Sequence, residues 1–124
     1  MSSIMVVAEH RDGAVREATL EVLGAALDLG RTLGLEVVTL VLGHDPRAIA
    51  APLVGRAPSL RLLAHPELRC YEAERYLAAL IDQISASTPK LVLMAHSSQG
   101  MDLVLLGRER EASQYRAARG SPAR

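Results

Sequence analysis

The sequence predicts a single α/β domain, in which a parallel sheet is covered by helices on both faces in a three-layer α/β/α arrangement. Three observations predict it. Apolar strand-like runs alternate with helical patterns along the chain. Of the 124 residues, 49% are hydrophobic, and this length suits one hydrophobic core. The first apolar run is nearly continuous, which is typical of a strand buried on both faces.

Four apolar runs predict the strands. The second run is closed by Gly43, and the fourth begins after Pro89, which cannot continue the preceding helix. Counting strands along the chain, we expect the order 3-2-1-4, which makes the first and fourth strands neighbours. The predicted strands are residues 3–8, 35–42, 60–64 and 91–95.

Three helical patterns separate the strands. Between about residues 16 and 33, apolar residues recur on one face at three- and four-residue steps, and Gly34 supplies the stop. Asp45 is predicted to cap a short helix that begins at Pro46 and runs to about residue 54. The third helix is predicted over residues 71–87, which carry a wide apolar stripe.

A ligand site is expected beyond the carboxyl ends of the first and fourth strands, where the chain reverses direction across the sheet. The residues that follow these two strands are therefore the candidates for cofactor binding. They are Glu9, His10, His96, Ser97, Ser98 and Gly100.

Two interpretations of Glu9 and His10 stand side by side. A carboxylate and a histidine at a strand end could act as general base and acid. The favoured alternative is that both hydrogen-bond the turn and fix its shape. A phosphate-binding loop needs several glycines, and this turn offers only Gly13.

The residues after the fourth strand are also open to two interpretations. Ser97 and Ser98 lack the Gly-x-Ser-x-Gly surroundings of a nucleophile and are expected to cap the next helix. The amides of such a helix start could hold a nucleotide phosphate. We predict no catalytic residue. We also predict no metal site, because the sequence contains no Cys/His cluster of the kind that binds zinc.

Composition excludes several classes of protein. No apolar stretch approaches the roughly 20 residues needed to cross a bilayer, so we expect no membrane span. Three tyrosines, without Phe or Trp, argue against a nucleic-acid-binding surface on which bases stack. The single cysteine, Cys70, indicates a reducing, cytoplasmic setting. Residues 107–124 are predicted to form a basic, disordered tail after a domain at residues 1–106.

Two segments carry a family resemblance. Residues 6–13 read Val-Val-Ala-Glu-His-Arg-Asp-Gly and are followed by Thr19-Leu20-Glu21. They resemble the opening of electron transfer flavoprotein alpha subunits, which have a strand, an Ala-Glu-His-x-x-Gly turn and a helix with Thr-x-Glu. Residues 89–103 resemble that family's later strand and its His/Gly/Asp-Leu loop. The resemblance covers residues 1 to about 103.

The resemblance implies an N-terminal domain of the Rossmann-like, adenine nucleotide alpha hydrolase-like type. It implies a non-catalytic electron-carrier subunit that takes part in flavin-mediated electron transport with a beta-type partner subunit or a flavin domain. In the full-length family a separate C-terminal domain binds most of the FAD, so none is expected on this chain alone. The sequence departs from the family after Leu103, as a truncated product or a short paralogue would. Self-association over the uncovered apolar surface is the alternative partner.

A second function stays open at this point. Ser97-Ser98-Gln99-Gly100 and residues 105–107 suggest a universal-stress-protein-like module that binds ATP or AMP. Against it, Ser97 stands where a glycine would help, and Glu9 replaces that family's usual Asp. An ATP-pyrophosphatase-type enzyme is disfavoured, because the loop it needs after the first strand is absent.

Overall fold

The computed structural model describes residues 3–11, 13–68 and 73–95. The strands and helices are β1 (Ser3–Val7), β2 (His10–Arg11), β3 (Ala14–Val15), α1 (Glu17–Leu33), β4 (Glu36–Gly43), α2 (Pro46–Ala50), β5 (Leu60–Ala64), α3 (Ala73–Ser87) and β6 (Leu91–Leu93). Short 3₁₀ turns follow α2 and β5, at Ala51–Leu53 and Pro66–Leu68.

The main sheet has four parallel strands in the order β5-β4-β1-β6. At its centre, Val6 of β1 lies opposite Thr39 of β4 and Leu93 of β6. In terms of the four predicted strands this is the order 3-2-1-4, so the expected topology is confirmed. The carboxyl ends of β1 and β6 are neighbours at one edge of the sheet.

Two hydrophobic clusters cover the two faces of the sheet, because successive strand residues point to opposite sides. Ile4 and Val6 of β1 pack with α1 and α2 on one face. Met5 and Val7 pack with α3 on the other. The predicted three-layer α/β/α class is therefore confirmed.

Helix α1 approaches the sheet closely at Gly30. A Cβ at this position would lie 2.8 Å from the carbonyl oxygen of Leu35 and 3.0 Å from Cγ2 of Val37. Gly34 then ends the helix at φ 69°, in the left-handed region, and its N–H donates to the carbonyl of Gly30. The predicted stop at Gly34 is confirmed.

The structure differs from the sequence predictions at several element boundaries and in two local features. Helix α2 ends at Ala50, and a 3₁₀ turn replaces its predicted continuation to about residue 54. A hairpin of β2 and β3 follows β1, where a plain turn was expected. Asp45 precedes α2 but makes no capping hydrogen bond with its side chain, because its backbone at ψ 77° is outside the usual extended region of an N-cap. The last strand ends at Leu93 and not at Ala95.

No helix in the described ranges is both long and apolar enough to span a bilayer.

Candidate functional site at the carboxyl edge of the sheet

The chain leaves β1 through Glu9, whose backbone is bonded to the start of α1. The amide of Glu9 donates to Oγ1 of Thr19 at 2.8 Å, and the same hydroxyl donates to the carbonyl of Glu9 at 3.2 Å. The amide of Arg16 also donates to that carbonyl, at 2.9 Å. Both Glu9 and Thr19 are buried. The end of β1 and the first turn of α1 are therefore held together by hydrogen bonds inside the protein.

The carboxylate of Glu9 is almost fully buried and has a cationic partner. Its Oε2 lies 3.3 Å from Nε of Arg16, and the side chains of Glu9 and Arg16 are 9% and 42% exposed. A buried carboxylate is costly unless it is paired and hydrogen-bonded. Arg16, the residue immediately before α1, supplies this pairing. The edge of the sheet at this point thus carries an ion pair between a buried carboxylate and a partly exposed guanidinium.

His10 contacts the end of β4 and helix α3. Its Nε2 lies 2.6 Å from the carbonyl oxygen of Leu42, and this nitrogen carries the proton because a carbonyl can only accept. The hydroxyl of Tyr76 lies 3.3 Å from the same nitrogen and donates to the carbonyl of Leu42 at 3.4 Å. The carbonyl oxygen of Leu42 therefore accepts hydrogen bonds from both His10 and Tyr76.

Gly43 lies beside this arrangement and packs closely against α2. A Cβ at Gly43 would lie 2.9 Å from Cδ1 of Ile49, which is too close, and 3.5 Å from Nε2 of His10, which is an ordinary van der Waals distance. The missing side chain at this position therefore makes room for Ile49, and the imidazole of His10 lies in contact range of the same point.

The hairpin of β2 and β3 brings His10 to this position. His10 pairs with Val15 and Arg11 pairs with Ala14. Gly13 lies in the turn at φ 79°, a conformation that favours glycine. The one glycine of this loop thus serves the hairpin turn.

Of the predicted site residues, the structure places Glu9 and His10 at the carboxyl edge, where Glu9 pairs with Arg16 and His10 contacts β4 and α3. His96, Ser97, Ser98 and Gly100 lie outside the described residues, so their meeting with Glu9 and His10 stays a prediction.

Sequence reasoning missed the roles of Thr19, Arg16 and Tyr76. Thr19 lies among apolar residues on the buried face of α1, and a hydroxyl at such a position needs a local partner. Tyr76 was predicted only as part of an apolar stripe. A buried tyrosine usually finds a partner for its hydroxyl, and this was the available signal.

The parallel sheet and the turn that closes β1 define a Rossmann-like α/β domain. Comparison with known proteins gives its family. The family model described as "Electron transfer flavoprotein domain" matches residues 4–107. The chain therefore belongs to the electron transfer flavoprotein domain family.

Individual relatives agree with this assignment. The chain is 31% identical over 103 residues to electron transfer flavoprotein subunit alpha of Bacillus subtilis, which covers 81% of this chain and 30% of that protein. It is 30% identical over 101 residues to acryloyl-CoA reductase electron transfer subunit beta of Anaerotignum propionicum, covering 81% and 28%. It is 31% identical over 104 residues to protein FixB of Azorhizobium caulinodans, again covering 81% and 28%.

These matches confirm the resemblance to electron transfer flavoprotein alpha subunits. They favour this family over the universal-stress-protein-like hypothesis. The chain spans about three tenths of the length of the curated relatives it matches.

Proposed function

We propose that this chain is an α/β scaffold of an electron transfer flavoprotein and takes part in flavin-mediated electron transfer with a beta-type partner subunit or a separate flavin domain. It acts as part of an electron carrier and not as an enzyme. One observation carries the proposal beyond family membership: the polar groups at the carboxyl edge of β1 bind one another.

Three amides between the end of β1 and the first turn of α1 already have partners inside the protein. Helix-start and strand-end amides bind phosphate well when they are free. Here the amides of Glu9, Arg16 and Thr19 donate to Oγ1 of Thr19, the carbonyl of Glu9 and the carbonyl of Arg16, respectively. The guanidinium of Arg16, which lies next to these amides, is already paired with the carboxylate of Glu9. These contacts support a scaffold role for this edge over binding of the FAD diphosphate.

His10 supports a scaffold role over acid–base catalysis. Its Nε2 proton is held by the carbonyl of Leu42 in a short hydrogen bond of 2.6 Å. A proton transfer from this nitrogen would have to break that bond and separate the imidazole from β4 and Tyr76.

The cellular compartment and the domain boundaries are part of the same proposal. A single cysteine fits a reducing, cytoplasmic compartment. We propose residues 1–106 as the domain and residues 107–124 as a basic tail. A second copy of the chain is the alternative partner to a beta-type subunit.

The cofactor part is tested by purifying the full chain and measuring its visible flavin absorbance after incubation with excess FAD and desalting. We expect no flavin to remain bound. Stoichiometric FAD on the chain alone would overturn this part of the proposal. Calorimetry with ATP and AMP should show no micromolar binding, and a micromolar signal would support the nucleotide-binding alternative.

The partner part is tested separately. The chain is co-expressed with an electron transfer flavoprotein beta-type subunit from the same genome, and the complex is sized by light scattering. A stoichiometric complex supports the proposal. Two separate species under these conditions, or only a self-associated form of this chain, would contradict the beta-type partnership.

A further inference from the structure

We propose that the outer edge of β5 pairs with β5 of a second copy of this chain, so that two sheets join into one across a two-fold axis. β5 is the outermost strand of the main sheet and pairs only with β4 among the described strands. An exposed strand edge is a ready site for pairing with another chain. The inference concerns a surface apart from the carboxyl edge of β1, so it does not depend on the proposed electron-transfer role.

The bonding between β4 and β5 determines which backbone groups of β5 point outward. Thr39 of β4 lies opposite Leu60, and its amide donates to the carbonyl of Ser59 at 2.9 Å. In a parallel ladder, alternate residues of a strand bond to the same neighbour, so the residues between them turn their N–H and C=O groups to the other side. On β5 the outward groups are those of Leu60, Leu62 and Ala64.

Two prolines limit the pairing and select its register. Pro58 and Pro66 lie at equal distances along the chain before and after Leu62. Proline has no N–H and cannot donate to a strand ladder. A two-fold axis at Leu62 pairs this residue with its own copy and Leu60 with Ala64, so every outward residue of β5 obtains a partner. An axis at either neighbouring residue would place one outward residue opposite a proline.

The side chains of β5 suit this antiparallel self-pairing. Leu62 is a large apolar side chain that is 38% exposed, and at the axis it would meet its own copy in an apolar contact. Arg61 would lie opposite Leu63, so no two like charges would oppose each other. The guanidinium of Arg61 hydrogen-bonds with Gln83 and Ser87 of α3 and is thus held on that helix.

Net charge and contact area set the expected affinity. The chain has a formal net charge of zero at pH 7, so overall charge repulsion does not oppose association of two copies. A stable dimer buries about 1,200–2,000 Å² in total, and two five-residue strands form only part of such a surface. We therefore expect a reversible dimer with a Kd on the order of 10 μM to 1 mM.

The test is the oligomeric state of the full chain alone, measured by sedimentation equilibrium from micromolar to millimolar concentration. We expect a reversible equilibrium between monomer and dimer. A monomer throughout would overturn the proposal, and so would assembly beyond the dimer, because a two-fold pairing is closed. No beta-type subunit is present in this experiment, so its result is distinct from that of the co-expression test.

Lysine substitutions locate the interface. Leu62→Lys should weaken the dimer at least about tenfold, because two like charges would oppose each other at the axis. Leu33→Lys is the matched control, since Leu33 is 53% exposed at the end of α1 and the same change there should alter the Kd less than about threefold. Equal weakening by both variants would assign association to general charge or apolar contact and contradict pairing at β5. Circular dichroism and Tm verify that each variant folds.

A disulfide cross-link tests the register directly. Opposed residues that exchange both hydrogen bonds have Cα atoms about 5.5 Å apart, within the roughly 4.4–6.8 Å that a disulfide spans. In a Cys70→Ser background, Leu62→Cys should therefore form a covalent dimer on mild oxidation, whereas Leu33→Cys should not. Equal cross-linking by the two variants would contradict an axis at Leu62, as would failure of Leu62→Cys to cross-link at concentrations where the dimer forms.

Discussion

The hydroxyl of Thr19 lies 2.8 Å from the backbone nitrogen of Glu9 and 3.2 Å from its carbonyl oxygen. One side chain thus satisfies the donor and contacts the acceptor of a buried residue at the corner between β1 and α1. Thr39 on β4 is the opposite case, because it is fully buried and its Oγ1 has no hydrogen-bond partner among the described residues. Substitution by valine should therefore lower the free energy of unfolding at Thr19 and raise it at Thr39.

Thr19→Val should lower the free energy of unfolding by about 1–3 kcal/mol, because it leaves the buried amide of Glu9 without its hydrogen bond. The carbonyl of Glu9 keeps the amide of Arg16 as a donor, so only one backbone group loses its partner. Denaturant unfolding at equilibrium measures the change.

Thr39→Val is the matched control and should raise the free energy of unfolding by about 1 kcal/mol, since it removes a desolvated hydroxyl and keeps the shape of the side chain. Equal destabilisation by both valine substitutions would show that the hydrogen bonds of Thr19 contribute nothing specific.

Gly30→Ala should destabilise the protein by about 1–3 kcal/mol. The new methyl group would lie 2.8 Å from the backbone oxygen of Leu35, and backbone cannot move aside as a flexible side chain can. Gly24→Ala on the same helix meets nothing within 4 Å and should stabilise by about 0.5–1 kcal/mol through helix propensity. Thermal unfolding compares the two variants, and a stabilising Gly30→Ala would contradict the close approach of α1 to the sheet.

His10 and Tyr76 should be coupled in stability, because both contact the carbonyl of Leu42 and lie 3.3 Å from each other. Tyr76→Phe keeps the ring and should cost about 0.5–1.5 kcal/mol, while His10→Leu should cost about 1–3 kcal/mol. A double-mutant cycle by denaturant unfolding should give an interaction energy of at least about 0.5 kcal/mol. Strict additivity would show that the two side chains act independently.

The predictable part of the fold comes from long patterns. The alternation of apolar runs with helical patterns predicted four parallel strands and their order. Gly34 predicted the end of α1, because the left-handed backbone conformation that ends a helix favours glycine. The hairpin of β2 and β3 was not predictable, since two-residue strands carry no periodicity.

The site was harder to predict than the fold. Glu9 and His10 stood out as polar residues after a buried strand, and this was enough to locate the edge. Their partners were not visible in the sequence. Tyr76 has the same spacing as its apolar neighbours on α3, and only the folded structure brings its hydroxyl to Leu42. Asp45 is a common N-cap residue, but its backbone conformation prevents the expected hydrogen bond.

The ion pair of Arg16 and Glu9 gives the last prediction. Arg16→Ala should lower the free energy of unfolding by about 1 kcal/mol, because the carboxylate is 9% exposed and loses a nearby positive charge. The effect is modest since Arg16 itself is 42% exposed and is screened by solvent. The loss of stability should be smaller at high salt than at low salt, and denaturant unfolding at the two salt concentrations measures the difference. Arg11→Ala removes an exposed arginine from the same hairpin region and should change stability by less than about 0.5 kcal/mol. If Arg11→Ala cost as much as Arg16→Ala, the loss would reflect the general charge of the region and not the pairing with Glu9.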